Sequence, residues 1–134
     1  MTDSVVVLPG EGVGPEVTSE AVKVMEWFVQ TQKLDLQLEI ESYGLSCYKE
    51  SGVLVTEDTL SKIAGSKAVL FGATGGLEFD AIPKEVRSKG NLLAMRRRML
   101  VYANLRPVVA YRELEDEKDK HSRKQWLLCW CLRC

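Results

Sequence analysis

The 134-residue chain has one histidine, His121, and four cysteines, three of which (Cys129, Cys131 and Cys134) crowd the last six residues. A disulfide framework spreads its cysteines along a chain. Cys47 stands alone, so the expected setting is a reducing, cytosol-like compartment. No apolar run approaches the roughly 18 residues of a membrane span. The start, Met1-Thr-Asp-Ser4, lacks a basic segment leading an apolar one, so no secretory signal is expected. There is little net charge either: −1 overall, with 13 Lys and Arg against 18 Asp and Glu in residues 1–117, and 5 against 1 in residues 118–134. A mildly acidic body argues against a general nucleic-acid binder. Walker-type Lys-Ser/Thr and a complete Gly-x-Gly-x-x-Gly are both missing after the first glycine loop.

What the sequence does have is strand and helix in alternation. Ser4-Val-Val-Val-Leu8 is short, apolar and β-branched, the pattern of a buried strand. Pro9 to Gly14 ends it with three glycines, which permit positive φ and close backbone approach. Pro15 and Glu16 suit the first turn of a helix. That helix is predicted to run to about Gln32, with Val17, Ala21, Val24, Met25 and Phe28 on one face. Leu34 to Ile40 alternates as a half-exposed strand does. Ser42 to Val55, broken by Gly44 and Gly52, reads as loop-rich, with Cys47 a packed thiol. Thr56 is a candidate N-cap for a helix ending at Gly65, and Lys67 to Phe71 is a second buried strand. Such alternation predicts an α/β open sheet.

Two further stretches invite ligands. Gly72-Ala-Thr-Gly-Gly76 follows a strand directly, and ligands of open α/β sheets bind beyond the carboxyl ends of strands. On spacing alone it is equally a flexible turn, as the first glycine loop is equally a tight one. Leu92 to Val108 sets Arg96, Arg97, Arg98 and Arg106 beside an apolar, strand-like run. A guanidinium fork matches a carboxylate in two parallel hydrogen bonds, so Arg96 and Arg106 together suit a dicarboxylate. A solvated basic helix turn has the same charge pattern.

Leu92-Leu-Ala-Met-Arg96, Tyr102-Ala-Asn-Leu-Arg-Pro107, Leu8-Pro-Gly-Glu-Gly-Val-Gly-Pro-Glu-Val17 and Phe71-Gly-Ala-Thr-Gly-Gly76 occur in family order. By them the chain resembles the β-hydroxyacid oxidative decarboxylases, the isopropylmalate and isocitrate dehydrogenase family that includes tartrate dehydrogenase. The resemblance covers roughly residues 4–112. The resemblance implies a partial α/β fold, an amino-terminal piece (1–112) whose later strands are absent, followed by a divergent tail (113–134). It implies NAD-dependent oxidation and decarboxylation of a 2-hydroxy dicarboxylic acid, like 3-isopropylmalate or tartrate. Arg96 and Arg106 are then the substrate-carboxylate ligands. The glycine loop after the first strand would lie near the nicotinamide, and Thr74, Gly75, Gly76, Leu77 and Leu92 would line NAD. The complete family enzyme is a homo-oligomer that uses Mg2+ or Mn2+. Its metal carboxylates, catalytic lysine and tyrosine, and a third arginine come from later in the family chain; none of their motifs is present here. No catalytic or metal-binding residue is therefore assigned. Three departures stand out: Glu11 where the family usually has Asp, Leu77 where it often has Pro, and Lys89 near a position often held by Glu.

The tail is polar from Arg112 to Lys124 and then rich in Trp and Cys. Cys131 and Cys134 fit one zinc knuckle, but Cys129 and Cys131 are too close for a second, so zinc is disfavoured, with or without His121. Its single short apolar run argues equally against lipid binding. The composition is that of an aberrant terminus, such as a frameshift or an alternative exon. Two readings of the chain follow: a piece of an NAD-dependent dehydrogenase, inactive alone, and a non-enzymatic remnant that pairs with a full-length subunit.

Overall fold

The computed structural model describes residues 3–101, 103–106 and 128–130. The chain divides into two compact units, residues 1–99 and residues 100–134. The first is built on β1 (Asp3–Gly10), paired in parallel with β2 (Leu36–Ile40) on one side and β3 (Ala68–Ala73) on the other. Val5 to Leu8 are almost completely buried because the central strand is covered on both faces. With the family's later strands absent, Val5–Leu8 and Ala68–Phe71 are both expected to have open edges; Val5–Leu8 are instead flanked on both sides, and β2 and β3 are the outer strands among the described residues.

The crossover from β1 to β2 moves one way along the sheet and that from β2 to β3 the other. Right-handed connections therefore put α1 (Gly14–Gln32) and α3 (Glu57–Gly65) on opposite faces. On the α3 side, Val6 and Leu8 join Tyr43, Val55, Ile63 and Met95 in one core cluster. Val5 and Val7, one residue out of step, face the other way. Thr56 caps α3 as predicted, its hydroxyl accepting from Thr59 N at 3.1 Å.

The first helix has the predicted length but a different inward face. Gly14 and Thr18 are buried and Ala21, Val22, Met25 and Val29 half-buried, while Val17, Val24 and Phe28 are 49%, 56% and 45% exposed. The cause is a close approach at the helix start. A Cβ on Gly14 would lie 2.1 Å from Pro9 O, and one on Gly72 would lie 2.9 Å from Thr18 Cγ2. This contact turns Gly14 and Thr18 onto the sheet and leaves Val17, Val24 and Phe28 outward.

The loop-rich reading of residues 42–55 is also corrected. Gly44 (φ 79°) and Gly52 (φ 74°) are the two ends of a short helix, α2 (Leu45–Ser51). Cys47 is buried within it, as a packed thiol. By the family resemblance residues 76–92 are expected to be a loop along NAD; they contain α4 (Leu77–Asp80) and α5 (Lys84–Gly90), and the arginine run that suits a basic helix turn lies on α6 (Leu92–Arg98).

In the second unit β4 (Asn104–Arg106) pairs antiparallel with β5 (Leu128–Trp130), in the register Leu105 opposite Cys129. Residues 102–111, mostly apolar and β-branched, are expected to form a strand, which is described only at β4; the apolar tail supplies a partner strand with no forewarning in its sequence pattern. The polar stretch 112–124 and the zinc spacing of the tail lie outside the described residues.

Candidate functional site

The carboxyl ends of β1, β2 and β3 open into three loops on one side of the sheet. The β1 exit needs its glycines: Gly10 has φ 75°, and a Cβ there would sit 1.9 Å from Ala73 O. Glu11 N donates to the same carbonyl at 2.8 Å, so the exits of β1 and β3 are locked together. The side chain of Glu11 then reaches further. Its Oε1 accepts from Leu45 N at 2.6 Å, at the start of α2, and its Oε2 accepts from Gly75 N at 3.0 Å.

Thr74, Gly75 and Gly76 form an exposed turn at the end of β3, and Leu77, 93% exposed, opens α4. Gly75 and Gly76 have φ of 116° and 133°, and an added Cβ at either would meet nothing within 4 Å. Glycine is needed there for conformation, and the space above stays open for a ligand. Four of the five residues expected to line a dinucleotide are thus contiguous on one rim. Leu92, the fifth, lies at the start of α6, half-buried against the core cluster.

Helix α6 is set by two contacts. Asn91 caps it, its Oδ1 accepting from Ala94 N at 2.9 Å. Tyr43 Oη donates to Gly90 O at 3.1 Å, one residue before the cap. Burial, and then the charge of Glu11, push the Tyr43 phenol up to about 12. Neither Tyr43 nor Asn91 was singled out from sequence; a cap-type residue before Leu92-Leu93 was the available signal for Asn91.

Of the three arginines on α6, Arg96 is half-buried, beside the fully buried Met95, while Arg97 and Arg98 are exposed. Arg98 is taken up by Glu57 at 2.7 Å. Among the described residues no carboxylate pairs with Arg96. Arg106 lies on β4 in the other unit, and its side chain is outside the described residues, as is any convergence of the two guanidiniums.

The described residues do not fit a divalent cation. No three His, Cys, Asp or Glu side chains among them gather into a cluster. Glu11 is committed to two amides, and Glu41 accepts from Thr59 Oγ1 at 3.2 Å and Lys62 Nζ at 2.7 Å. Hydrogen bonds to Glu41 and then Asp58 hold the Lys62 ammonium above its usual range. No step is assigned to a metal here.

A β-decarboxylating dehydrogenase from Thermococcus kodakarensis superposes with TM-score 0.62 at 32% identity, covering 81% of this chain and 30% of that one. The isocitrate dehydrogenase of Methylococcus capsulatus, 23% identical with TM-score 0.58, shares the fold over 81% of this chain and 29% of its own. The family model for isocitrate/isopropylmalate dehydrogenases matches residues 4–130, and the chain belongs to that family. The 3-isopropylmalate dehydrogenase of Hydrogenovibrio crunogenus is 41% identical over 116 residues, which is 87% of this chain and 32% of the relative. The chain thus spans about a third of the length of the curated relatives it matches. The match to residue 130 reaches further than the sequence motifs do.

Proposed function

We propose that this chain is the cofactor-facing, amino-terminal portion of an NAD-dependent enzyme that oxidises and decarboxylates a 2-hydroxy dicarboxylic acid. The substrate is 3-isopropylmalate-like or tartrate-like, and the setting is cytoplasmic. The carrying observation is the exposed Thr74–Leu77 rim, locked to the β1 exit at the carboxyl ends of the strands. In this reading the rim and Leu92 line NAD, which accepts the hydride. Arg96 and Arg106 each fork onto a carboxylate and hold the hydroxyl-bearing carbon toward the cofactor. The Mg2+ or Mn2+ site, the catalytic lysine and tyrosine, and the homo-oligomeric contacts belong to the remainder of a family subunit, and residues 113–134 are a tail that diverges from the family's motifs although the family match runs to residue 130.

The chain alone is therefore inactive. Purified and supplied with NAD, magnesium or manganese, and 3-isopropylmalate or tartrate, it is expected to give no increase in reduced-cofactor absorbance. Turnover that persists after removal of contaminating dehydrogenase would refute this. A second reading, a non-enzymatic remnant that associates with a full-length subunit, is favoured by the exposed Val17, Val24, Trp27 and Phe28 on α1.

A further inference from the structure

Three loops meet at one carboxylate. Glu11 leaves the β1 turn and accepts from the amide of Leu45, 34 residues away, and from that of Gly75, 64 residues away. Gly44 admits the side chain: a Cβ there would come within 2.2 Å of Glu11 Oε1. One carboxylate oxygen is therefore spent on the α2 start and the other on the glycine turn after β3. Neither oxygen has a cation as partner among the described residues, so the group is used as a double acceptor and not as half of an ion pair.

We propose that Glu11 is a positioning residue whose carboxylate fastens the Gly75 turn to the start of α2 and so presets the Thr74–Leu77 rim for a dinucleotide. The last clause rests on the function proposed above. A carboxylate suits the task because both its oxygens only accept. An amide of the same shape has one accepting oxygen and one donating NH2, so it satisfies one of the two backbone N–H groups and opposes the other. An aspartate keeps the charge but is one methylene shorter, so it cannot span the same two amides without moving a loop.

The test uses the full 134-residue chain, followed by amide nuclear magnetic resonance and hydrogen exchange, with Glu11→Gln and Glu11→Asp beside the wild type. In Glu11→Gln one of the Leu45 and Gly75 amides should move upfield and exchange about tenfold faster, as expected for a lost charge-assisted bond, while the β1 amides hold their protection. In Glu11→Asp the Gly75 amide should loosen with charge retained. NAD is then titrated into each. If the wild-type Gly76 and Leu77 signals respond, Glu11→Gln should need about tenfold more NAD for the same response. Leu45 and Gly75 amides unchanged in both variants, or equal NAD response in wild type and Glu11→Gln, would overturn the proposal. Changed amides with no NAD response from the wild type would uphold the brace and count against the cofactor reading instead. If Glu11→Gln loses its β1 signals and does not fold, Glu11→Asp decides by the Gly75 amide alone.

Discussion

Tyr43 carries more than its volume. Its ring is 1% exposed and meets Phe71 edge-on at 5.0 Å, while its hydroxyl holds Gly90 O just ahead of the α6 cap. Replacing it with Phe keeps the ring and leaves that carbonyl without its partner. The expected cost is about 0.5–1.5 kcal/mol, read as a lower urea midpoint. The sign of the pH dependence follows from the raised phenol. A folded-state pKa of about 12 against the ordinary 10 means that the folded chain holds this proton more tightly than the unfolded one. The resulting stability is complete below pH 10 and is lost as pH climbs through 12. Tyr43→Phe should flatten that alkaline decline; an unchanged slope would show that the phenol is not its source. None of this was legible in the sequence, where Tyr43 is one apolar residue in a glycine-broken stretch. Its partners, Gly90 and Phe71, are far along the chain, and only the fold brings them together.

At the scale of elements, the strands, the long helix and the Thr56 cap were legible because each is announced locally: a β-branched run, a proline in the first turn, a hydroxyl before two acids. The phase of α1 was not. Its periodicity offered Val17, Val24 and Phe28 as readily as Thr18, Val22 and Val29, and the choice was made by backbone contact with β3. The same contact yields a test. Gly72 has an ordinary backbone conformation, so alanine there is opposed by space alone: its Cβ would lie 2.3 Å from Pro9 O and 3.1 Å from Gly14 O. Both obstacles are backbone and cannot swing aside. Gly72→Ala should cost about 1–3 kcal/mol as an overpacking change, with equilibrium unfolding as the measurement. A variant as stable as the parent would mean that α1 does not sit this close to the sheet. The short helices α2, α4 and α5 were hidden for another reason. Each is about two turns or fewer, too short for a helical period to declare itself, and glycine or proline flanks each of them.

For the molecule as a whole, the outward side of α1 is the largest liability. Val24, Trp27 and Phe28 are 56%, 55% and 45% exposed, with the two aromatic rings 4.9 Å apart. A net charge of −1 offers little repulsion against contact. The chain is expected to associate in sedimentation under reducing conditions, and to go on doing so when residues 124–134 are deleted. Trp27→Glu should weaken that association while the circular dichroism spectrum holds. A clean monomer in the parent and the deletion alike would show that the α1 face is tolerated by solvent, and the remnant reading would lose its support.

The order of the sheet, β2-β1-β3, also has a meaning in time. Of these three strands the one made first ends up in the middle, and its second neighbour finishes 63 residues after it, at Ala73 against Gly10. A ribosome adding about 5–20 residues per second needs on the order of 3–13 s to cover that distance. Through that interval Val5, Val6, Val7 and Leu8, the most deeply covered strand among the described residues, have at least one flank unpaired. Translation that stalls before Ala73 therefore releases this β-branched run without its second neighbour, in the form most open to capture by a chaperone or by another nascent copy.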